Sequence, residues 1–527
     1  MKRISVCAGL ALALAAASTA AVTGAGARGT GTEIRSGGTL TIALAEEPDA
    51  LDPTLARTFV GRIVFMHMCE KLYDLNRQLQ IVPQLAASLP KVSRDKLTVT
   101  IRLRTGLRFN DGTPLNAQAA KISLDRHREL TASRRASELA PVDSVQAVGN
   151  RTIVLKLKQP FAPLTAQLAD RAGMIMSPAQ LDKLGARFAQ EPVCVGPFRF
   201  ASRTAGDRIV VRKSPFYYAR NRVHLNEIVF RIINEPSAAA QSLRAGDVDV
   251  VDRLASTELA AVRRDKDLRI VKATSIGYQG ITINIGNKRG LGKLPYQNVG
   301  TSIASSALLR EALDAAIDRR LLNKVVFNGT VQPGCGPIAP VSPWFDKTIK
   351  CNLSRDMARA RRLVSRSGVR NPTIKLMANT DAVALREGQF IQSQAREAGI
   401  NVILEPTEFV TSLRKADDGN YETFRIGWSG RVDPDGNIYQ FVHTQGSLND
   451  AGYSNPRLDK LLDDARAATS TAERKRLYSQ AVQVIRRNRP LIYLYHQVTR
   501  DGVKQNVVGL QLFGDGLIRA QFAGFTR

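Results

Sequence analysis

The stretch RFNDGTPLNAQAAKISLDR, residues 108–126, joins a strand to a helix through one dense turn. Upstream, LTVTIRLRTGLRF (97–109) alternates apolar and polar residues and is rich in β-branched side chains, the pattern of a half-buried strand. Asn110-Asp111-Gly112 and Thr113-Pro114 are turn chemistry: Gly allows positive φ, Asn and Asp bond their own backbone, and Pro fixes φ. Downstream, Ala117, Ala120, Ile122 and Leu124 begin a helix, and RTIVLKLKQPF (151–161) is a second clear strand.

Working outward, the chain alternates strands and helices to its end. SGGTLTIALAEEPDALDP (36–53) is a strand followed by a loop, and FVGRIVFMHMCEKLYDL (59–75) reads as a helix with Val60, Ile63, Val64, Met68 and Leu72 at helical spacing. EIVFRIINEPSAAAQSLRAGDVDVVDRL (227–254) reads strand, helix, strand, and predicts a parallel pair. In the second half, 305–327 is an amphipathic helix, and TIKLMAN (373–379), NVILEP (401–406) and NYETFRIGW (420–428) are strands. PRLDKLLDDARAA and TAERKRLYSQAVQVIRRN are helices, and PLIYLYHQVT (490–499) is a final strand. A mixed α/β chain of 527 residues is too long for one core, so two or more lobes are expected.

Composition narrows the function. Met1-Lys2-Arg3, an Ala-rich apolar run and small residues up to Ala27 predict a cleaved signal peptide (1–27) and an exported, soluble product. Cys7 falls in that leader. The formal charge is +28, but Lys and Arg are interspersed with Asp and Glu, and aromatic residues make up only 6 %, so no nucleic-acid partner is expected. Cys69, Cys194, Cys335 and Cys351 make an even set that suggests two disulfides, with three pairings open. No C-x-x-C occurs, and His67, His127, His224, His443 and His496 are scattered, so neither redox chemistry nor a metal site is indicated, and no cofactor is expected. G-x-S-x-G, H-E-x-x-H and a phosphate-binding Gly-Lys loop are all missing, and GWSG (427–430) lacks the required spacing. Asp463/Asp464 reads as a solvated helix face. An enzyme is therefore not expected.

The order of motifs resembles the family 5 extracellular solute-binding proteins of dipeptide, oligopeptide and nickel ABC importers. Arg104, Gly106, Phe109, Asp111, Gly112 and Pro114 match R-x-G-x-x-F-x-D-G-x-P in full. CEKLYDL with VPQLAASL, VGPFRF (195–200), REALDAAIDR (310–319), GWSGRVDPDGNIYQF (427–441) and the C-terminal helices continue the series over about residues 36–500. Cys194-Val195 stands where the family has Gly-Thr before Gly-Pro.

The resemblance implies a two-lobed periplasmic-binding-protein fold with two hinge crossings, closing on a ligand for a membrane ABC permease, as a periplasmic monomer. Lobe one is expected at 36–285, with an extra subdomain at about 76–190 packed away from the cleft. Lobe two is expected at 290–485, and 490–527 returns to lobe one. RFNDGTP is then a structural corner. With those lobes, Cys335–Cys351 pairs across a Gly/Pro-rich loop of lobe two and Cys69–Cys194 pairs within lobe one. The expected ligand is a peptide or a small polar organic molecule. A secreted peptide hydrolase, or a peptide chaperone or sensor on the same fold, is the alternative.

The cleft is expected around GWSGRVDPDGN, with Trp428, Arg431 and Asp433 from this loop. Glu46, Glu47, Tyr278 and Gln279 are expected from lobe one, with Arg386 as a second anion contact. In peptide-binding members an Asp of the W-x-x-D block holds the peptide amino terminus. Arg431 stands at that offset here, which favours a ligand with an anionic end.

Overall fold

The computed structural model describes residues 34–526; the leader expected at 1–27, with Cys7, lies outside the described residues. Three sheets organise these residues. The first has seven strands in the order Leu268–Thr274, Val498–Lys504, Val250–Val251, Thr39–Leu44, Glu227–Ile232, Arg208–Lys213, Phe198–Thr204. Glu227–Ile232 and Val250–Val251 are parallel, as their pattern predicts, but they flank Thr39–Leu44 and do not pair with each other. Leu40, Ile42 and Phe230 from this sheet pack with Phe65 and Val64 of the helix Phe59–Met68, which stops short of the expected Leu75: Cys69 is tied to Cys194 and Tyr73–Leu75 is a strand.

The second sheet has six strands in the order Gln332–Pro333, Leu491–His496, Tyr278–Ile283, Thr423–Trp428, Thr373–Asn379, Asn401–Thr407. Its two faces are both covered. Ile281, Ile283, Ile492 and Leu494 pack under the helices Ala307–Ala316, Arg319–Phe327 and Ala382–Glu397. Tyr278, Leu491 and Tyr493 pack under Asp435–Val442, Pro456–Ala467 and Thr471–Asn488. The helix read over 305–327 is two helices, broken where the Asp318 side chain accepts from Leu321 N and caps the second.

This sheet corrects the expected lobe boundaries. Tyr278–Ile283 and Leu491–His496 fall within the ranges expected for lobe one, 36–285 and 490–527, yet both are strands of the second sheet. LIYLYH is buried on every residue, which is what a strand covered on both faces must be. The run PLIYLYHQVT is two strands in different sheets, broken at Gln497. The chain therefore passes between sheets at 275–277 and again at Gln497, not at GNKRGLGK (286–293). In that segment Asn287 is fully buried, and its amide donates to Ala416 O at 2.9 Å. The two crossings lie side by side: Ser275 N donates to Gln497 O at 2.7 Å, and His496 Nδ1 is 2.7 Å from Gly277 O.

The third sheet is antiparallel, in the order Lys91–Val92, Thr98–Arg102, Thr152–Leu157, Val142–Val148, with the helix Ala117–Glu129 against it. It has its own core, including Val99, Ile101, Phe109, Leu124, Ile153 and Leu155. RFNDGTP is the corner that ties this sheet to the first. Phe109 is fully buried, and the Asn110 side chain donates to Phe198 O at 2.8 Å. Asp111 Oδ1 accepts from Thr113 N at 2.9 Å, and its Oδ2 accepts from Ser177 Oγ at 2.6 Å. Gly112 has φ +86°, and Asn116 caps the helix by accepting from Ala119 N at 2.9 Å. The disulfide Cys69–Cys194 closes the same region, since Asn110 N donates to Cys194 O at 2.9 Å. Cys335–Cys351 is the second disulfide.

Candidate functional site

The strand Thr423–Trp428, fourth of six in the second sheet, carries Gly427 and Trp428 at its C-terminal end, and the chain then turns back along the first crossing. Gly430, at φ +86°, touches that crossing: a Cβ there would lie 2.4 Å from Gly277 N. Only glycine fits such an approach. Arg431 follows. Its backbone is clasped by Asn437, which accepts from Arg431 N at 2.7 Å and donates to Arg431 O at 2.8 Å. The guanidinium lies 4.6 Å from the Trp428 ring centroid, and Nη1 donates to Gly430 O at 2.8 Å. Trp428 leans on Phe441, edge to face at 5.1 Å.

Arg431 points across the gap between the sheets to Asp170, with Nε 3.3 Å from Oδ2. Asp170 lies in the segment 76–190, just after the helix Leu164–Gln167. Its Oδ1 accepts from Arg62 Nε at 3.1 Å and from Arg171 N at 2.9 Å. Arg62 comes from the helix Phe59–Met68 of the first sheet. Thus Arg62, Arg171 and Arg431 all face one carboxylate, at 3.1, 4.0 and 3.3 Å.

Burial disfavours charge here, and the groups respond accordingly. Although burial opposes it, the guanidiniums of Arg62, Arg431 and Arg171 hold the Asp170 carboxyl well below the usual range. Burial lowers Arg431 to about 10, and burial with the neighbouring Arg135 lowers Arg171 to about 9. Several buried polar atoms at or beside this place have no hydrogen-bond partner: Arg62 Nη1, Asp170 Oδ2, Arg171 Nε and Trp428 Nε1. The space bounded by Arg62, Asp170, Ile276, Arg431, Asp433 and Asp515 is a cleft of about 20 Å³, room for one water, and Asp433 and Asp515 are each paired with an arginine of their own, Arg474 and Arg519. The arrangement is a cationic seat with donors to spare, built from both sides of the crossings.

The expected site residues divide. Arg431 and Asp433 both line this cleft, and Trp428 stands behind Arg431. Asp433 is already engaged: it is buried and receives two hydrogen bonds from Arg474, at 2.7 and 2.8 Å. Tyr278 pairs in register with Trp428, but its ring packs inward on Tyr493 at 4.8 Å, so it belongs to the second sheet's core. The Gln279 side chain fills the space beside Gly427, and its buried Oε1 has no hydrogen-bond partner. Glu47 is occupied by Arg203 at 2.7 Å and Gly206 N at 3.0 Å. Glu46 is exposed, with Arg253 at 3.8 Å, and Arg386 is exposed on the helix Ala382–Glu397. None of Glu46, Glu47 and Arg386 lines the cleft.

Arg62, Asp170 and Arg171 are the contributors that the sequence reading missed. Arg62 carried a signal, as the one arginine of an otherwise apolar helix. Asp170 carried none, because its segment was expected away from the cleft. The structure corrects that placement. The segment reaches the second sheet's side twice, through Asp170 and through Ala162 N, which donates to Arg466 O at 2.7 Å.

Among the described residues, no group of three or more His, Cys, Asp or Glu side chains is placed to hold a metal ion. His67 and His127 are buried and bonded to backbone carbonyls of Ile63 and Met174. No helix among the described residues is long and apolar enough to cross a membrane.

Comparison with known proteins bears on this geometry. The sequence model for bacterial extracellular solute-binding proteins, family 5 Middle, matches residues 80–449. The glutathione-binding protein GsiB of Pectobacterium atrosepticum is 28% identical over 501 residues, covering 92% of this chain and 94% of the relative. GsiB of Escherichia coli K12 is 26% identical over 491 residues, covering 90% of this chain and 92% of the relative. Among solved structures, the PBP AgaA of A. tumefaciens R10 in complex with agropinic acid superposes with a TM-score of 0.79 at 25% identity, over 93% of this chain and 99% of that one. The DppA periplasmic binding protein of Helicobacter pylori with peptide STSA gives 0.81 at 22% identity, over 94% and 99%.

Proposed function

Because the chain belongs to the family 5 bacterial extracellular solute-binding proteins, the capturing components of ABC importers, we propose that it binds a net-anionic peptide or peptide-like molecule between its first and second sheets. The observation that carries this reading is the seat itself: three guanidiniums, from both sides of the crossings, share the single carboxylate of Asp170. A ligand carboxylate supplies the counter-charge that this group lacks, and guanidinium is the side chain best shaped to receive it. Arg431, in place of the acidic residue that would hold a peptide amino terminus, argues in the same direction. Relatives named for glutathione and a complex with agropinic acid support an acidic ligand. Glutathione carries two carboxylates and one ammonium.

Binding works through closure. The sheets part and close about 275–277 and Gln497, and a ligand touching Arg431 on one side and Arg62 on the other favours the closed arrangement. The closed pair is then delivered to the membrane permease. No chemistry on the ligand is part of this reading. The protein acts as a periplasmic monomer once its signal peptide is removed.

A thermal-shift screen of the purified chain against di- to tetrapeptides, glutathione and chelated nickel tests the proposal, because a ligand held only by the native state raises apparent stability. Glutathione and acidic peptides are expected to raise the midpoint most. Stabilisation by free divalent metal alone, or by no organic anion at all, would overturn it.

A further inference from the structure

Organic ligands occupy pockets of roughly 300–1,000 Å³. The cleft between Arg62, Asp170 and Arg431 measures about 20 Å³. A ligand can therefore enter only when the Asp170–Arg431 contact opens. Each partner is held from its own side. Arg431 rests on Trp428 and bonds Gly430 O, while Asp170 is fixed by Arg62 and by Arg171 N. The contact between them is different: Asp170 Oδ2 lies 3.3 Å from Arg431 Nε yet accepts no hydrogen bond. Parting the sheets breaks this ion pair and leaves both halves preformed.

We propose that Asp170 is a specificity-determining internal competitor, whose Oδ2 occupies the place on Arg431 that a ligand carboxylate takes. This rests on the anionic-ligand reading above and adds a residue and a rule to it. A molecule keeps the two sides together only if it brings Arg431 an anion that displaces the resident carboxylate. Uncharged or esterified analogues cannot do so, however well the rest of the molecule fits. With no ligand present, the same carboxylate adds to the other contacts between the two sides, such as Ala162 N to Arg466 O, so the open population is kept low until an anion arrives.

Two readouts test this. The first is calorimetric titration of wild type and Asp170→Asn with reduced glutathione and with glutathione diethyl ester. The amide keeps the acceptor for Arg171 N and for Arg62 while removing the charge. Asp170→Asn is expected to bind glutathione about tenfold more tightly than wild type, and the ester is expected to bind neither protein. The second is small-angle X-ray scattering with no ligand added, on wild type, Asp170→Asn and Arg431→Met. Both variants remove the latch, one from each side. Each is expected to expand by on the order of 1 Å over the ~23 Å radius of gyration of a compact chain this long.

Unchanged scattering in both variants, or weaker glutathione binding by a folded Asp170→Asn, would overturn the inference and leave Asp170 as a mere anchor for Arg62. If Asp170→Asn does not fold, unchanged scattering of Arg431→Met alone overturns it. If wild type binds neither probe while both variants expand, the anionic-peptide reading fails and the latch stands.

Discussion

The corner RFNDGTP and the loop GWSGRVDPDGN are both turn-rich and both carry Asp and Gly, yet they are built differently. At the corner the polar groups named above have partners: Asn110 on Phe198 O, and Asp111 on Thr113 and Ser177. In the loop the same economy holds for Asp433 and Asp435, which receive paired hydrogen bonds from Arg474 and Arg466. It stops at Arg431. From there to Asp170 and Arg62, charged groups are buried but incompletely bonded. A buried polar group without a partner costs about 1–3 kcal/mol. Such atoms occur elsewhere too, as at Asn287 Oδ1 and Glu387 Oε1, so what sets this place apart is their convergence with three guanidiniums on one carboxylate.

The largest effect that could break this distinction lies two residues from Arg431, at Asp433. Asp433→Ala leaves Arg474 buried and unpaired, which should cost about 3–5 kcal/mol of stability by denaturant titration. Arg431→Met removes a cation from a cationic cluster and should cost under about 1 kcal/mol. Equal losses would mean that both residues are scaffold.

A second effect concerns a buried carboxyl that is bonded but still titrates. Glu70 accepts from Tyr217 OH at 2.7 Å and Tyr218 OH at 3.0 Å, and burial pushes its pKa up from 4.5 to about 7. Its folded value exceeds its unfolded one, so the stability it contributes is full below about pH 4.5 and is lost as pH rises through about 7. His67 and His127 run the other way. Burial lowers both to about 4, so their contribution is present above pH 6.5 and is lost as pH falls through about 4. Glu70→Gln isolates the first trend. Relative to wild type it should gain on the order of 3 kcal/mol between pH 4.5 and pH 8. Parallel stability curves for the two proteins would show that Glu70 does not carry it.

The smallest effect is at the corner. Asp111→Ala should cost about 1 kcal/mol through its lost turn bonds and leave ligand affinity unchanged. A change in affinity there would erase the contrast between the two regions.

Much of the fold is legible because periodicity is local. The strand Thr98–Arg102, shorter than the 97–109 its alternation predicts, the strands parallel to Thr39–Leu44 within 227–254 and the helices from Pro456 on all follow from side-chain spacing. Lobe membership is less so. Leu491–His496 and Val498–Lys504 read as one strand because nothing in HQV marks a change of sheet, and a strand buried on both faces shows no alternation. The site was half legible. Trp428 and Arg431 share a loop, and the residue at that offset announces itself by its charge. Tyr278 and Asp433 have the right chemistry but are consumed by Tyr493 and Arg474, which only packing reveals. Asp170 reaches Arg431 from about 260 positions away, and no spacing rule connects them.

The central claim is that Arg431 receives the ligand's anion between the two sheets. Calorimetry of wild type and Arg431→Met with the peptide giving the largest thermal shift, glutathione being expected, tests it most directly. Loss of a charge-assisted bond should raise Kd about tenfold to a hundredfold with the melting midpoint little changed. A Kd that stays the same in a folded Arg431→Met protein would place the ligand elsewhere and contradict the account.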